Sequence, residues 1–191
     1  YRDDVRNIIK EAGIVGMGGA GFPANVKLTP KNEDEIDYII VNGAECEPYL
    51  TSDYRRMIEE PEKLIHGLEI CINLFDNAKG IIAIEDNKPE AIKLLRELTK
   101  DNDKITINEL KTKYPQGDER QLIYVIKGVM LPAGKLSAEV GCVIFNAETC
   151  IAVNNAVKPG MPLIKSVVTV DGDAVKTPSN LRIPLGVSLG D

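Results

Sequence analysis

A glycine-rich segment near the start of the chain has residue types that could hold an anion. Its glycines stand at positions 13, 16, 18, 19 and 21, and Phe22, Pro23 and then Lys27 follow. Glycine adopts positive φ at little cost, so successive backbone N–H groups can converge on one phosphate. A flexible linker is the alternative, but linkers are rich in Ser, Thr and charged residues, whereas this segment carries Ile14 and Met17. The segment therefore predicts a phosphate site built from backbone, with Lys27 at its rim.

Two well-known nucleotide loops share features with this segment but need a different context. Gly16, Gly18 and Gly21 fit the spacing Gly-x-Gly-x-x-Gly. In a dinucleotide-binding fold, that spacing follows a strand and opens a long helix. Here a predicted helix precedes the glycines and Pro23 follows them, and the sequence lacks the Gly-Lys-Ser/Thr of a Walker loop. The phosphate site is therefore expected to be of another kind.

Polar side chains also cluster in three turns that lead into predicted helices, at residues 42–49, 114–119 and 146–149. Ligands of open α/β sheets gather at the carboxyl ends of strands, where Asn amides and carboxylates can bind ring edges or ribose hydroxyls. Each turn also has a structural explanation, because an acidic residue suits the positive end of a helix and Asn or Thr can cap one. Both roles stay open for any single turn, but the turns and the glycines together favour a ligand site.

The rest of the sequence predicts the elements that would position these turns. Short apolar runs alternate with stretches whose apolar residues recur at helical spacing. Strands are predicted at 38–41, 80–84, 105–110 and 142–145, and helices near 5–12, 61–75, 89–98, 118–126 and 148–157. This alternation is typical of an α/β fold with a mostly parallel sheet and helices on both faces. The expected architecture is Rossmann-like.

The last residues differ in character and predict a second, β-rich unit. Apolar runs at 167–170 and 174–175 flank Asp171-Gly172-Asp173, a pattern that indicates a β-hairpin. We predict an α/β domain over residues 1–158 and the start of a small β module, cut short, over residues 159–191.

Bulk composition argues against several classes of function. Hydrophobic residues make up 43% of the chain and charged residues 27%, which is typical of a globular protein. The net charge of −6 argues against nucleic acid, whose binding requires a basic face. The longest uncharged run, at 12–26, is too short and too rich in glycine to span a bilayer. The cysteines and the single His66 are too scattered to predict a metal site, and Cys71 and Cys142 are expected in the core.

The combined motifs resemble the C subunit of the Rnf electron-transport complex and, more distantly, the NADH-binding flavoprotein subunit of respiratory complex I. The resemblance covers nearly the whole chain, and residues 159–191 resemble the start of the soluble-ligand-binding β-grasp (SLBB) module of these proteins. It rests on residues 16–23 with Lys27, on the run 42–48, on Tyr114-Pro-Gln-Gly117 and on Asn146-Ala-Glu-Thr149.

This resemblance implies a flavoprotein that holds FMN without a covalent bond, accepts hydride from NADH and passes electrons to iron–sulfur partners outside this stretch. It implies a place beside other subunits of a membrane complex, peripheral on its cytoplasmic face, and no acid–base residue for the hydride step. The glycines that would line the nucleotide cleft are Gly16, Gly18, Gly19 and Gly21, and the residues that would contact FMN are Lys27, Asn42, Glu45, Gly117, Asp118, Asn146 and Thr149. For NADH, Phe22 would stack on the adenine, Glu47 would make a contact, and Tyr114 would lie near the stacked flavin and nicotinamide.

Four positions depart from the complex I pattern. Met17 replaces an arginine, Ala44 an aspartate and Phe145 an asparagine, and Pro30 stands where a second adenine-stacking aromatic is expected. Two alternatives therefore stay open: a redox-silent nucleotide-binding or scaffold domain, and an electron-transfer protein of an amino-acid reductase system.

Overall fold

A computed structural model of the chain, describing residues 1–188 and 190, has a four-stranded sheet at its centre. The strands are β1 (Tyr38–Gly43), β2 (Lys79–Glu85), β3 (Ile105–Leu110) and β4 (Cys142–Asn146). All of them run parallel, in the order β3-β2-β1-β4. Each of the four strands predicted for this sheet is present, and the predicted α/β class is confirmed.

Helices connect the strands, and local sequence signals mark several helix ends. Pro61 and Pro89 stand in the first turns of their helices, where a missing N–H costs nothing. Gly13, with φ of 67°, lies just beyond the first helix, a left-handed position that favours glycine. The helices are α1 (Arg2–Glu11), α2 (Ala24–Lys27), α3 (Ser52–Glu59), α4 (Pro61–Ile72), α5 (Pro89–Leu98), α6 (Glu119–Lys127) and α7 (Ala147–Val157), with 3₁₀ turns at Glu33–Glu35 and Ser137–Val140.

Helices cover both faces of the sheet, as the sequence predicts. Successive residues of a strand point to opposite faces, and β1 shows the consequence. Ile39 and Val41 belong to the larger core, which includes apolar residues of α1, α4, α5 and α7. Ile40 belongs to a smaller core on the other face, together with Leu122 and Ile123 of α6. Burial on both faces explains the continuous apolar run at 39–41.

Helices α4 and α7 meet at a glycine. A Cβ on Gly67 would lie 1.9 Å from the carbonyl oxygen of Cys150 and 2.6 Å from its carbonyl carbon. The two backbones therefore approach too closely for a side chain at this position.

The core also contains Cys71 and Cys142, both fully buried free thiols, as predicted.

After α7 the chain forms an antiparallel hairpin, but not the one that the sequence predicts. Its strands are β5 (Lys165–Val170) and β6 (Ser179–Pro184). Ala174 and Val175, expected in the second strand, lie in the connection instead. The reason is local: Val175 N–H donates to the Gly172 carbonyl at 2.9 Å. The Val175 N–H is thus used within the Asp-Gly turn and does not pair with a neighbouring strand.

The hairpin is hydrogen-bonded to the α/β part of the chain. Val167 N–H donates to Glu148 Oε1 at 2.8 Å, and Thr51 N–H donates to Thr169 Oγ1 at 3.2 Å. The domain boundary at residue 158 stays a prediction. It is supported by the separate two-stranded sheet that the chain forms after α7.

Among residues 1–188 and 190, we find no helix with the length and apolar character of a membrane span.

Candidate functional site

The strand order places the candidate site at the carboxyl ends of β1 and β4. From β1 the chain continues to β2 on one side, whereas β4 lies on the other side. Ligands of open α/β sheets bind where the connections diverge in this way. Asn42 and Asn146 are direct neighbours there, paired in the β1–β4 ladder. The fold thus brings two predicted site residues from distant turns side by side.

The glycine-rich segment forms a closed loop. Val15 and Pro23 make an isolated antiparallel bridge, and Gly16 N–H donates to the Phe22 carbonyl at 2.8 Å. Residues 17–21 therefore project between two fixed ends.

The backbone of this loop is open to a ligand. Gly19 and Gly21 have φ of 113° and 61°, conformations that favour glycine. In the part of the chain that the structure describes, the amides of residues 18–21 form no well-aligned hydrogen bond, and these residues are exposed. Open consecutive amides are what the predicted anion site requires.

The loop is held against the first turn of α7. Met17 N–H donates to Thr149 Oγ1 at 2.9 Å, and a Cβ on Gly18 would lie 3.3 Å from the Cβ of Asn146. Asn146 caps the helix, because its Oδ1 accepts the Glu148 N–H at 2.9 Å. A helix N-terminus carries partial positive charge. The loop and the helix end therefore form one surface suited to an anion.

Hydrogen bonds join the turns after β1 and β3. Asn42 Nδ2 donates to the Gly117 carbonyl at 2.8 Å, and Gly117 N–H donates to Cys46 Sγ at 3.3 Å. A Cβ on Gly117 would lie 3.1 Å from that sulfur, so the close approach favours glycine. Asp118 caps α6 through its side chain. This is the structural one of the two roles that the sequence allows for this turn, the other being ligand binding.

Two carboxylates, Glu45 and Asp53, lie close together beside Asn146. Glu45 accepts the N–H groups of Asp53 at 2.7 Å and Tyr54 at 3.2 Å, at the start of α3. Asp53 Oδ2 accepts from Asn146 Nδ2 at 2.5 Å. Burial raises the pKa of both carboxyls, and the Glu45 charge raises that of Asp53 further, to about 7. Asp53 can therefore exchange a proton near neutral pH.

Asp53→Asn is expected to remove a pH dependence of stability. The pKa of this carboxyl rises from 3.8 to about 7 on folding, so the folded state holds the proton more tightly. Its contribution to stability is complete below pH 4 and is lost as pH rises towards 7. The side chain keeps some solvent contact, so we expect a loss of about 2 kcal/mol across this window. The neutral variant should be the more stable protein above this window, and should lose that advantage below it. Urea unfolding at several pH values measures the difference, and parallel profiles would contradict it.

Two lysines reach backbone carbonyls near the site. Lys27 Nζ donates to the Ile144 carbonyl at 2.9 Å and lies 5.9 Å from the centre of the Phe145 ring. It is therefore anchored to β4 behind the loop. Lys88 is only 7% exposed and donates to the Ala44 carbonyl at 2.6 Å, which fixes the turn after β1.

The residues predicted for NADH divide between two places. Glu47 and Tyr114 line a cleft of about 580 Å³ bounded by the turns after β1, β2 and β3. The Tyr114 hydroxyl donates to Glu47 Oε1 at 3.2 Å. Phe22 lies on the glycine-rich loop, 42% exposed.

Sequence patterns do not single out Asp53 or Lys88. Asp53 has the signal of any acidic residue in a first helical turn, and Lys88 precedes Pro89 at an unremarkable helix start. Only the tertiary contacts with Asn146 and Ala44 reveal them.

Within residues 1–188 and 190, no three His, Cys, Asp or Glu side chains are placed to hold a metal ion.

Comparison with known proteins shows relatives along the whole chain. The family model described as the Nuo51 FMN-binding domain matches residues 9–155. The chain is 46% identical to the C subunit of the proton-translocating ferredoxin:NAD(+) oxidoreductase complex of Clostridium ljungdahlii, over 98% of this chain and 41% of that protein. The C subunit of the Na(+)-translocating ferredoxin:NAD(+) oxidoreductase complex of Acetobacterium woodii is 40% identical, over 97% and 42%. These relatives confirm the resemblance to the Rnf C subunit, and the chain spans about two fifths of their length.

Solved structures share the fold. The NAD+-reducing NiFe hydrogenase in its H2-reduced state superposes with a TM-score of 0.87 at 24% identity, over 100% of this chain and 38% of that chain. Its air-oxidized state gives a TM-score of 0.85 at the same identity and coverage. This likeness shows the fold alone, whereas the family model covers most of the sequence. The chain belongs to the Nuo51 FMN-binding domain family.

Proposed function

We propose that the chain holds FMN at the carboxyl ends of β1 and β4. The observation that carries the proposal is the contact of the glycine-rich loop with the first turn of α7, beside the paired Asn42 and Asn146. The family supports the cofactor. The site also fits FMN physically, because a Cβ on Gly18 would crowd the space at Asn146 and the open amides of residues 18–21 offer donors to a phosphate.

In this proposal the backbone holds the phosphate and the side chains orient the ring. Thr149 fixes the loop through Met17 N–H, and the turn at Gly117 closes the site through Asn42. Lys27 and Asp118 act through the backbone groups that they bind. The proposed FMN residues are Gly16, Gly18, Gly19, Gly21, Lys27, Asn42, Glu45, Gly117, Asp118, Asn146 and Thr149.

We further propose NADH as the electron donor. FMN, when bound, supplies the redox chemistry, since it can accept a hydride and release electrons singly. The task of the protein is then alignment at contact distance, which requires no acid or base. Glu47 and Tyr114, hydrogen-bonded across the cleft, would bind the nicotinamide end. The exposed ring of Phe22 would stack on the adenine.

The proposed partners are iron–sulfur proteins of a membrane complex, with this domain peripheral on the cytoplasmic face. The similar proteins of C. ljungdahlii and A. woodii are named as subunits of ferredoxin:NAD(+) oxidoreductase complexes. The acidic balance of the chain, a net charge of −6, fits protein partners better than nucleic acid.

Reconstitution with FMN tests this function. Titration of the folded protein with FMN should quench flavin fluorescence at micromolar concentrations, and anaerobic NADH should then bleach the flavin absorbance. NADPH serves as the matched control for the donor. Folded protein that leaves FMN fluorescence unchanged would contradict the cofactor. FMN binding without bleaching by NADH would favour the redox-silent nucleotide-binding domain instead.

A further inference from the structure

A second cavity, separate from the FMN site, lies between the hairpin and the helices. Its volume is about 340 Å³, within the range of about 300–1,000 Å³ that is typical of small-molecule sites. Helices α3, α4 and α7, the segment after α7 and the two hairpin strands all contribute to it. Its lining includes four cations and two apolar side chains: Arg56, Lys63, Lys165, Arg182, Ile14 and Leu163.

Arg56 is the buried cation of this cavity. It is 5% exposed, and its Nε has no hydrogen-bond partner among residues 1–188 and 190. Its Nη1 lies 3.0 Å from Glu60 Oε1, as an ion pair. A buried guanidinium is costly unless its charge and its donors are both satisfied. A buried donor without an acceptor beside a cavity indicates a ligand that would supply one.

The negative charge of one carboxylate, Glu60, is shared among three of these cations, so it cannot neutralise all of them. Glu60 contacts Arg56, Lys63 at 3.2 Å and Arg182 at 2.7 Å. Although burial opposes its ionisation, the hydrogen bond from Arg182 and the charge of Arg56 lower the pKa of Glu60 to about 2.

Glu148 is the carboxylate in the lining of the cavity, and it is engaged mainly with the hairpin. Glu148 accepts from Val167 N–H at 2.8 Å and from Ser166 Oγ at 3.4 Å. The two carboxylates therefore face four cations, so an excess of positive charge is left in a chain whose net charge is −6.

The hairpin register places two of these cations on one face. Val167 pairs directly with Arg182, and Lys165 shares the face of Val167 because side chains alternate along a strand. Lys165 and Arg182 are therefore diagonal neighbours, within reach of each other for long side chains. Their like charges repel each other, and an anion bound between them would reduce this repulsion.

We propose that this cavity binds a phosphate monoester that carries an apolar body. A phosphate monoester has a charge of about −1.5 to −2 at neutral pH, which matches the excess of positive charge. Guanidinium groups bind phosphate oxygens strongly, and the Arg56 Nε–H has no acceptor among the described residues. Ile14 and Leu163 would contact the apolar body. The site does not depend on the FMN proposal.

Calorimetric titration of the chain with phenyl phosphate tests this proposal. The wild type is expected to bind it, and Lys165→Met is expected to weaken binding about tenfold through loss of one charge-assisted contact. Lys165 is exposed, and its removal breaks none of the ion pairs to Glu60, so the variant should fold. Lys176→Met is the matched control, because Lys176 is an exposed residue of the connection at the other end of the hairpin.

Repeating the titration in a Gly18→Val background excludes the glycine-rich loop as the site, so that failure of the FMN proposal cannot affect the result. Equal affinity in the wild type and Lys165→Met, or equal weakening by Lys176→Met, would overturn the site. Inorganic phosphate binding as tightly as phenyl phosphate would overturn the apolar body, and tighter binding of benzoate would overturn the phosphate head.

Discussion

Replacing Gly67 by alanine is expected to lower the free energy of unfolding by about 3 kcal/mol. The added Cβ would lie 1.9 Å from the carbonyl oxygen of Cys150, so α4 and α7 would have to move apart. Their interface belongs to the larger core, in which Leu64, Leu68 and Ile151 are fully buried. Alanine gains about 1 kcal/mol of helix propensity over glycine, but this gain is too small to offset the lost packing. The variant should therefore be less stable although it is the better helix former.

Urea or thermal unfolding measures the effect, with Glu62→Ala on the exposed side of the same helix as control. That control should change stability by no more than about 0.5 kcal/mol. The nearest atoms are backbone atoms of Cys150, so truncation to Cys150→Ala should not rescue Gly67→Ala. Rescue in the double variant, or unchanged stability in the single one, would show that the helices do not meet in this way.

The larger elements of the fold are predictable because their signals are local. The apolar run at 39–41 reflects burial on both faces of β1, and Pro61 and Pro89 mark helix starts by a property of their own backbone. The hairpin shows the limit. Asp171-Gly172 does form a turn, but whether two strands pair across it depends on where the second strand can dock. Here that strand begins at Ser179, and its Asn180 Nδ2 donates to Thr51 Oγ1 in the α/β part of the chain.

The candidate site, too, is predictable from the sequence only in part. The glycine-rich loop and the turns that start at Asn42 and Asn146 can be recognised from residue types next to predicted strands. The strand order that places Asn42 beside Asn146 is a tertiary property, and the Asp53–Asn146 bond joins residues 93 apart in the sequence. Sequence reasoning also left open what Asp118 does, because an N-cap and a ligand contact require the same residue type.

Gly18→Val is expected to abolish measurable FMN binding while the fold survives. A Cβ at this position would lie 3.3 Å from the Cβ of Asn146, and valine adds two methyl groups to it. These groups would occupy the space between the loop and the first turn of α7, where we propose that the phosphate binds. We expect the affinity to fall at least about a hundredfold, equivalent to about 2.7 kcal/mol. Flavin fluorescence titration measures the loss.

The structure separates this effect from unfolding. Gly19 and Gly21 have positive φ and would be strained by a side chain, whereas Gly18 does not. The residue is also exposed, so replacement of glycine costs the folded state little and removes conformational freedom from the unfolded chain. Gly18→Ala is the graded control: Asn146 need move only a few tenths of an ångström, and the affinity should fall less. A folded Gly18→Val protein with unchanged affinity for FMN would show that the phosphate does not bind between this loop and α7.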